Sequence, residues 1–221
     1  KVDMLLEPIR VVLAQIGAFL PRLALAVAVL LVGWVVARMA RFAVVILSDI
    51  GANTLLLHPD TFERSVPMPD RPAAIRDYVE RGGGLVMIGG YLTFQGIDGR
   101  ARWAGTPVEA ALPVTMQLTD DRVEVPSGVQ PLVRLPSHPI VEGLGGVWPA
   151  LLGYNRVRPR DGAEIIVSVD DDPLIVAGTH GQGRAVAFTS DCGPHWCPPP
   201  FVDWDGYTRL WVQLVGWAAG T

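Results

Sequence analysis

The stretch RPAAIRDYVERGGGLVMIGG, Arg71 to Gly90, decides the fold class. Pro72 suits a first helical turn, Ile75, Tyr78 and Val79 share one face, and Gly82, Gly83 and Gly84 stop the helix. The apolar run LVMIGG that follows has no alternation and reads as a strand buried on both sides. Upstream, FAVVILSD (Phe42 to Asp49) is a second continuous β-branched run, ending in Ser-Asp like a strand that feeds a loop. A helix between two such strands is a right-handed crossover unit, which predicts an α/β domain around a parallel sheet.

Downstream, Gly99 to Pro139 carries prolines at intervals that forbid long helices, so it reads as a loop-rich excursion with short strands. AEIIVSV (Ala163 to Val169), DPLIVAGTH (Asp172 to His180) and GRAVAFTSD (Gly183 to Asp191) follow as three strands. Only Asp170 to Asp172 and His180 to Gly183 separate them, so antiparallel hairpins are expected there. A final amphipathic helix is predicted from about Gly206 to Ala219, with Leu210, Trp211, Leu214, Val215 and Trp217 on its apolar side.

The first 41 residues differ in kind. From Leu23 to Ala37 no side chain is strongly polar, and adding Gly17 to Arg22 reaches the roughly 20 residues that span a bilayer if Arg22 snorkels. Trp34, Arg38 and Arg41 are placed as interface anchors, which favours a membrane segment with the C-terminal side in the cytoplasm. A buried or interfacial helix is the alternative. A cleaved signal fits less well, because no small-residue cleavage site precedes the next strand. The organisation expected is therefore a hydrophobic segment over 1–41 and a globular domain over 42–221.

Of the 221 residues, 22 are Asp or Glu against 18 Lys or Arg, and no block of like charges occurs, so nucleic acid is excluded as a partner. The two cysteines, Cys192 and Cys197, are too few and too close to staple the domain, which fits a reducing compartment. Gly82 to Gly84 precedes its strand and is no phosphate loop. No cofactor signature is present. Cys192, His195 and Cys197 lack the spacing of a common zinc module, so no metal site is expected.

In open α/β sheets, ligands bind beyond the carboxyl ends of strands. Ser48, Asp49 and Asn53 follow the first strand, Gly89, Gly90 and Tyr91 the second, and Ser190, Asp191 and His195 the last. These are the candidate ligand-binding groups. His195 is a candidate general base with Asp191 orienting it, and Cys192 is a candidate nucleophile three residues away, although the geometry needed is spatial. In the bland alternative, His195 and Asp191 bond backbone groups, Cys192 packs, and Trp196 and Trp204 seal the domain's end.

VVILSDIGANTLLLHPDTF (Val44 to Phe62), DYVERGGGLVMIGGYLTFQGIDGRARWAGTPVEAALPV (Asp77 to Val114), HPIVEGL (His138 to Leu144), WPALLGYN (Trp148 to Asn155) and Gly181 to Gly220 together resemble the putative glutamine amidotransferase family, within the class I glutamine amidotransferase-like superfamily. That resemblance implies a flavodoxin-like parallel sheet flanked by helices. It also implies a nucleophilic cysteine at a tight turn after a strand. Here that turn is IGGYLTFQG, with Gly90 and Tyr91 and no thiol, so glutaminase activity is not expected. Separately, Gly17 to Arg41 resembles the conserved transmembrane helix of small-conductance mechanosensitive channel relatives.

Members of the family begin with a further strand, helix and strand before VVILSD. Their absence here implies a sheet lacking an edge or central member, in a fusion, a partial gene product, or a domain completed by a second copy or another partner. Three functions follow as expectations: small-molecule binding at the C-terminal edge, hydrolysis of an amide or sugar-derived substrate by His195 and Asp191, or a non-catalytic partner-binding module.

Overall fold

The computed structural model describes residues 24–25, 27–34 and 43–221. The chain divides into two compact units, Lys1–Arg41 and Phe42–Thr221. In the first, the described residues are helical, and Leu25, Leu30 and Trp34 are exposed. Among the described residues no helix is long and apolar enough to cross a membrane. The remainder of the expected membrane segment and its flanking arginines lie outside them.

The second unit is α/β. Its first strands are β1 (Val44–Ser48) and β2 (Gly84–Ile88), joined through the short helices α1 (Ala52–Leu56) and α2 (Pro59–Arg64) and the longer α3 (Arg71–Glu80). Asp70 begins α3 by accepting the Ala73 N–H at 2.9 Å, and Gly82, at φ 107°, ends the turn that leaves it. The excursion, Gly99 to Pro139, contributes α4 (Pro107–Ala111), β3 (Val114–Met116), β4 (Arg122–Val129) and β5 (Pro131–Val133), and β6 (Leu151–Asn155) and β7 (Val157–Pro159) return from it to pair with β4 and β3. The prolines there cut the segment into short pieces, as the sequence implies. Next come β8 (Glu164–Val169), β9 (Asp172–His180), β10 (Gly183–Phe188), α5 (Pro199–Val202) and α6 (Gly206–Ala219).

The main sheet runs β1-β2-β10-β9-β8-β5. β1 and β10 flank β2 in parallel, in unbroken five-residue register, so Ser48, Ile88 and Phe188 end side by side. Beyond β10 every pairing is antiparallel. The flavodoxin-like parallel sheet that the resemblance implies is thus a mixed sheet, parallel at β1, β2 and β10, with the antiparallel hairpins expected from the residues beyond. The reason is connection length: two residues join β8 to β9 and two join β9 to β10, too few for the crossover a parallel neighbour needs. Asp170 at φ 47° and Gly181 at φ 59° supply the left-handed positions those turns require.

Among the described residues the sheet is hydrogen-bonded strand to strand from β1 to β5 without a gap. Among the described residues β1 is an edge that pairs with β2 alone, and mid-strand Ile46 is 49% exposed. β2 is buried throughout, which explains its uninterrupted apolar sequence. One face of the sheet packs on α6 through Leu210, Leu214 and Ala218; the other packs on α3 and α4 through Val79, Val108 and Ala111. Residues four apart on α6 fall on one stripe, which is why that helix buries one side only.

Candidate functional site

Because β1, β2 and β10 run in parallel, their following loops leave from one rim, and the geometry there joins most of the residues singled out above. Ser48 Oγ lies 3.7 Å from Cys192 Sγ, bridging the first and third loops. Asp49 Oδ1 accepts the Leu92 N–H at 2.8 Å, bridging the first and second. The Tyr91 and His195 rings meet edge to face at 4.3 Å, bridging the second and third.

The elbow after β2 is closed to a side chain. A Cβ on Gly89 would fall 2.2 Å from the Thr189 carbonyl oxygen. One on Gly90 would fall 3.1 Å from Asp49 Oδ1, at a φ of 148° that side chains rarely adopt. Gly90 is instead tied to Asn155: its N–H donates to Asn155 Oδ1 at 2.9 Å, and Asn155 Nδ2 donates back to the Gly90 carbonyl at 3.2 Å. Asn155 Nδ2 also donates to Asp121 Oδ1 at 2.8 Å, and that carboxylate accepts the Gln95 and Gly96 N–H groups at 2.9 and 2.8 Å. Both side chains are buried. Burial raises the Asp121 pKa, while its N–H donors and Asn155 oppose the rise.

Beside the elbow, Glu124 accepts from Tyr91 Oη at 2.9 Å and from Trp196 Nε1 at 3.0 Å. Donating its proton to Glu124 raises the Tyr91 pKa. The Arg122 guanidinium lies 4.9 Å from the Tyr91 ring centroid, and Trp196 stacks on His195 at 5.3 Å. Asp191 Oδ1 accepts the Cys192 N–H at 2.7 Å. Burial raises the Asp191 pKa and the Asp49 charge adds to it, against the pull of the Cys192 and Gly193 N–H groups and of His195. His195 Nδ1 stands 4.0 Å from Asp191 Oδ2, an ion-pair distance rather than a hydrogen bond.

Two candidates do not join this group. Ser190 is buried and donates to the Gly153 carbonyl at 2.7 Å, so its hydroxyl serves the scaffold. Asn53 is exposed on α1 and its side chain hydrogen-bonds none of the others. Conversely, sequence reasoning missed Asp121, Arg122, Glu124 and Asn155, all contributed by the excursion or its return strand. Backbone strain marks the rim as well. Asp49, Phe94, Asp98, Arg102 and His195 all have positive φ, in loops that leave β1, β2 and β10. Such strain persists only where the surroundings over-determine it, and it gathers at functional sites.

The fold and this rim define a glutamine amidotransferase-like α/β domain whose elbow carries glycine in place of a nucleophile. The chain belongs to the family described as putative glutamine amidotransferase, whose sequence profile matches residues 27–220. It is similar to two cytoplasmic proteins of Salmonella typhimurium. One is 42% identical over 82% of this chain and 74% of that chain, with a TM-score of 0.79. The other is 40% identical over 79% of this chain and 71% of that chain, with a TM-score of 0.77. No curated protein matches.

Proposed function

We propose that this chain is a binding module of amidotransferase type that does not hydrolyse glutamine, and that it holds its ligand at the rim of β1, β2 and β10. The observation that carries the reading is the elbow itself, which has glycine and no thiol at position 90, where a Cβ would stand 3.1 Å from Asp49 Oδ1 at a φ of 148° that side chains rarely adopt. Thiol attack needs a nucleophile there. Beyond the Ser48–Cys192 contact, the rim's uncommitted hydrogen-bonding capacity among the described residues lies in the second carboxylate oxygens of Asp49 and Asp191 and in the His195 ring. Those groups suit a small molecule that presents amine, amide or hydroxyl donors. A thermal-shift screen of amines, amides and sugars tests this: a ligand that stabilises the wild type should lose most of its effect in Asp49→Asn and His195→Ala. If no compound stabilises the wild type, or if both variants respond as it does, the reading fails and a partner-binding module remains.

A second reading is favoured by the His195 and Asp191 pair alone. At 4.0 Å, a small shift on substrate binding would make Asp191 the orienting partner of a general base acting on an amide or sugar-derived substrate. His195→Ala would then abolish turnover rather than weaken binding. For location, the two similar proteins are cytoplasmic by name, and both cysteines are free, which suits a reducing compartment. We place the globular domain in the cytoplasm, with Gly17 to Arg41 as a membrane tether; recovery of the full chain in the soluble fraction would remove the tether.

A further inference from the structure

We infer that the end of the sheet opposite the rim carries a second binding site, for a small zwitterion of the α-amino acid class. His180 ends β9 beside Gly183, the first residue of β10, so it stands at the strand origins, away from the rim. A cavity of about 280 Å³ opens there, lined by Arg160, Asp161, Thr179 and His180, with Ala111 and Gly178 among its apolar residues. Ligand pockets start near 300 Å³, so only a small molecule fits.

Charge selects the class. Arg160 is held by its own scaffold: Nε donates to the Leu112 carbonyl and Nη2 to the Glu109 carbonyl, both at 3.1 Å. That leaves Nη1 uncommitted, on a guanidinium already fixed in place. Asp161 follows in a tight turn closed by the Ala163 N–H donating to the Arg160 carbonyl at 3.1 Å, with Gly162 at φ 79°. Among the described residues Arg160 and Asp161 form no ion pair with each other and the Asp161 carboxylate has no partner; both side chains are exposed, so the charges at the cavity mouth are open to a ligand. An unpaired cation and an unpaired anion on one small cavity match a molecule that carries both charges. The guanidinium would take the carboxylate and Asp161 the ammonium. The small residues among the lining leave room for a short side chain only.

Titrating isotope-labelled full-length protein with L-alanine while following backbone amide resonances tests the site. The expected result is saturable shifts at Gly162, Ala163, Gly178 and His180, with a Kd of about 1 mM. Acetate and ethylamine, each with one of the two charges, should bind at least about tenfold more weakly. Asp161→Asn removes no internal bond and should fold normally, weaken L-alanine about tenfold, and leave acetate unchanged. Absence of saturable shifts at those amides overturns the proposal, as does acetate binding as well as L-alanine, or Asp161→Asn binding like the wild type.

Discussion

Gly90 and Asn155 hold each other through two hydrogen bonds, N–H to Oδ1 at 2.9 Å and Nδ2–H to the carbonyl at 3.2 Å, across 65 positions of sequence. The turn that would present a nucleophile in a glutaminase is here a fixture of the core. Its amide is spent on an internal acceptor.

Installing a thiol should therefore not restore chemistry. We expect Gly90→Cys to release no ammonia from L-glutamine and to lose about 1–3 kcal/mol of stability, because the side chain must adopt a disfavoured φ against Asp49. Ammonia release and urea denaturation measure the two effects, and a gain of glutaminase activity would refute the closed-elbow argument.

Asp121→Ala removes the acceptor for the Gln95 and Gly96 N–H groups and for Asn155. Each buried donor left alone costs about 1–3 kcal/mol, so a loss of about 3 kcal/mol is a conservative expectation. Calorimetry should show Tm lower by about 6–12 °C. A shift within about 2 °C would mean that water replaces the carboxylate.

Alkaline pH should destabilise the fold in a defined window. Burial pushes the Cys197 thiol from 9.0 up to about 12, and burial with the hydrogen bond to Asp172 pushes the Tyr154 hydroxyl from 10.0 to about 12. With folded pKa values above the unfolded ones, the stability is complete below pH 9 and falls as the unfolded chain deprotonates first. Each pH unit costs up to about 1.4 kcal/mol per group. Cys197→Ala should flatten the fall between pH 9 and 10, where Tyr154 contributes least. An unchanged slope in urea denaturation across that range would count against it.

Acid acts through the opposite sign. The Arg122 hydrogen bond holds the Asp120 carboxyl well below its usual range, so that contribution is complete above the unfolded carboxyl pKa and is lost as pH falls below it. Arg122→Gln should shrink the acid-dependent part of the stability, measured as the difference in denaturation midpoint between neutral and acid pH. Asp120 is partly exposed, so the effect is smaller than a buried pair would give.

The elements with strong local signals were legible in the sequence. Asp172 to His180 is bounded by turn residues on both sides and forms β9 over those residues. Arg71 to Glu80 has its own cap, its own proline and its own stop. The antiparallel half of the sheet was readable too, since two-residue turns leave no other option. The flavodoxin-like parallel sheet came from family likeness alone, and these same turns limit its parallel part to β1, β2 and β10. At the rim, Ser48 ends β1, and Asp49, Gly90, Tyr91, Asp191, Cys192 and His195 lie in the loops after β1, β2 and β10, a placement readable from the strand pattern. Asp121 and Asn155 could not: their roles depend on a long-range meeting with Gly90, and a buried carboxylate looks like any surface acid until its donors are known.

The pairing of Gly84 with Arg184 has a consequence for how the protein is made. β2, the most apolar strand, waits for a neighbour that emerges from the ribosome only after most of the domain has been synthesised, and α6, which covers that pair, comes last of all. Until then a fully hydrophobic strand has one side unsatisfied, which slows folding and invites association with other nascent chains. Products stopped short of Gly183 are therefore expected to keep β2 open on that side and to aggregate more readily than the whole domain.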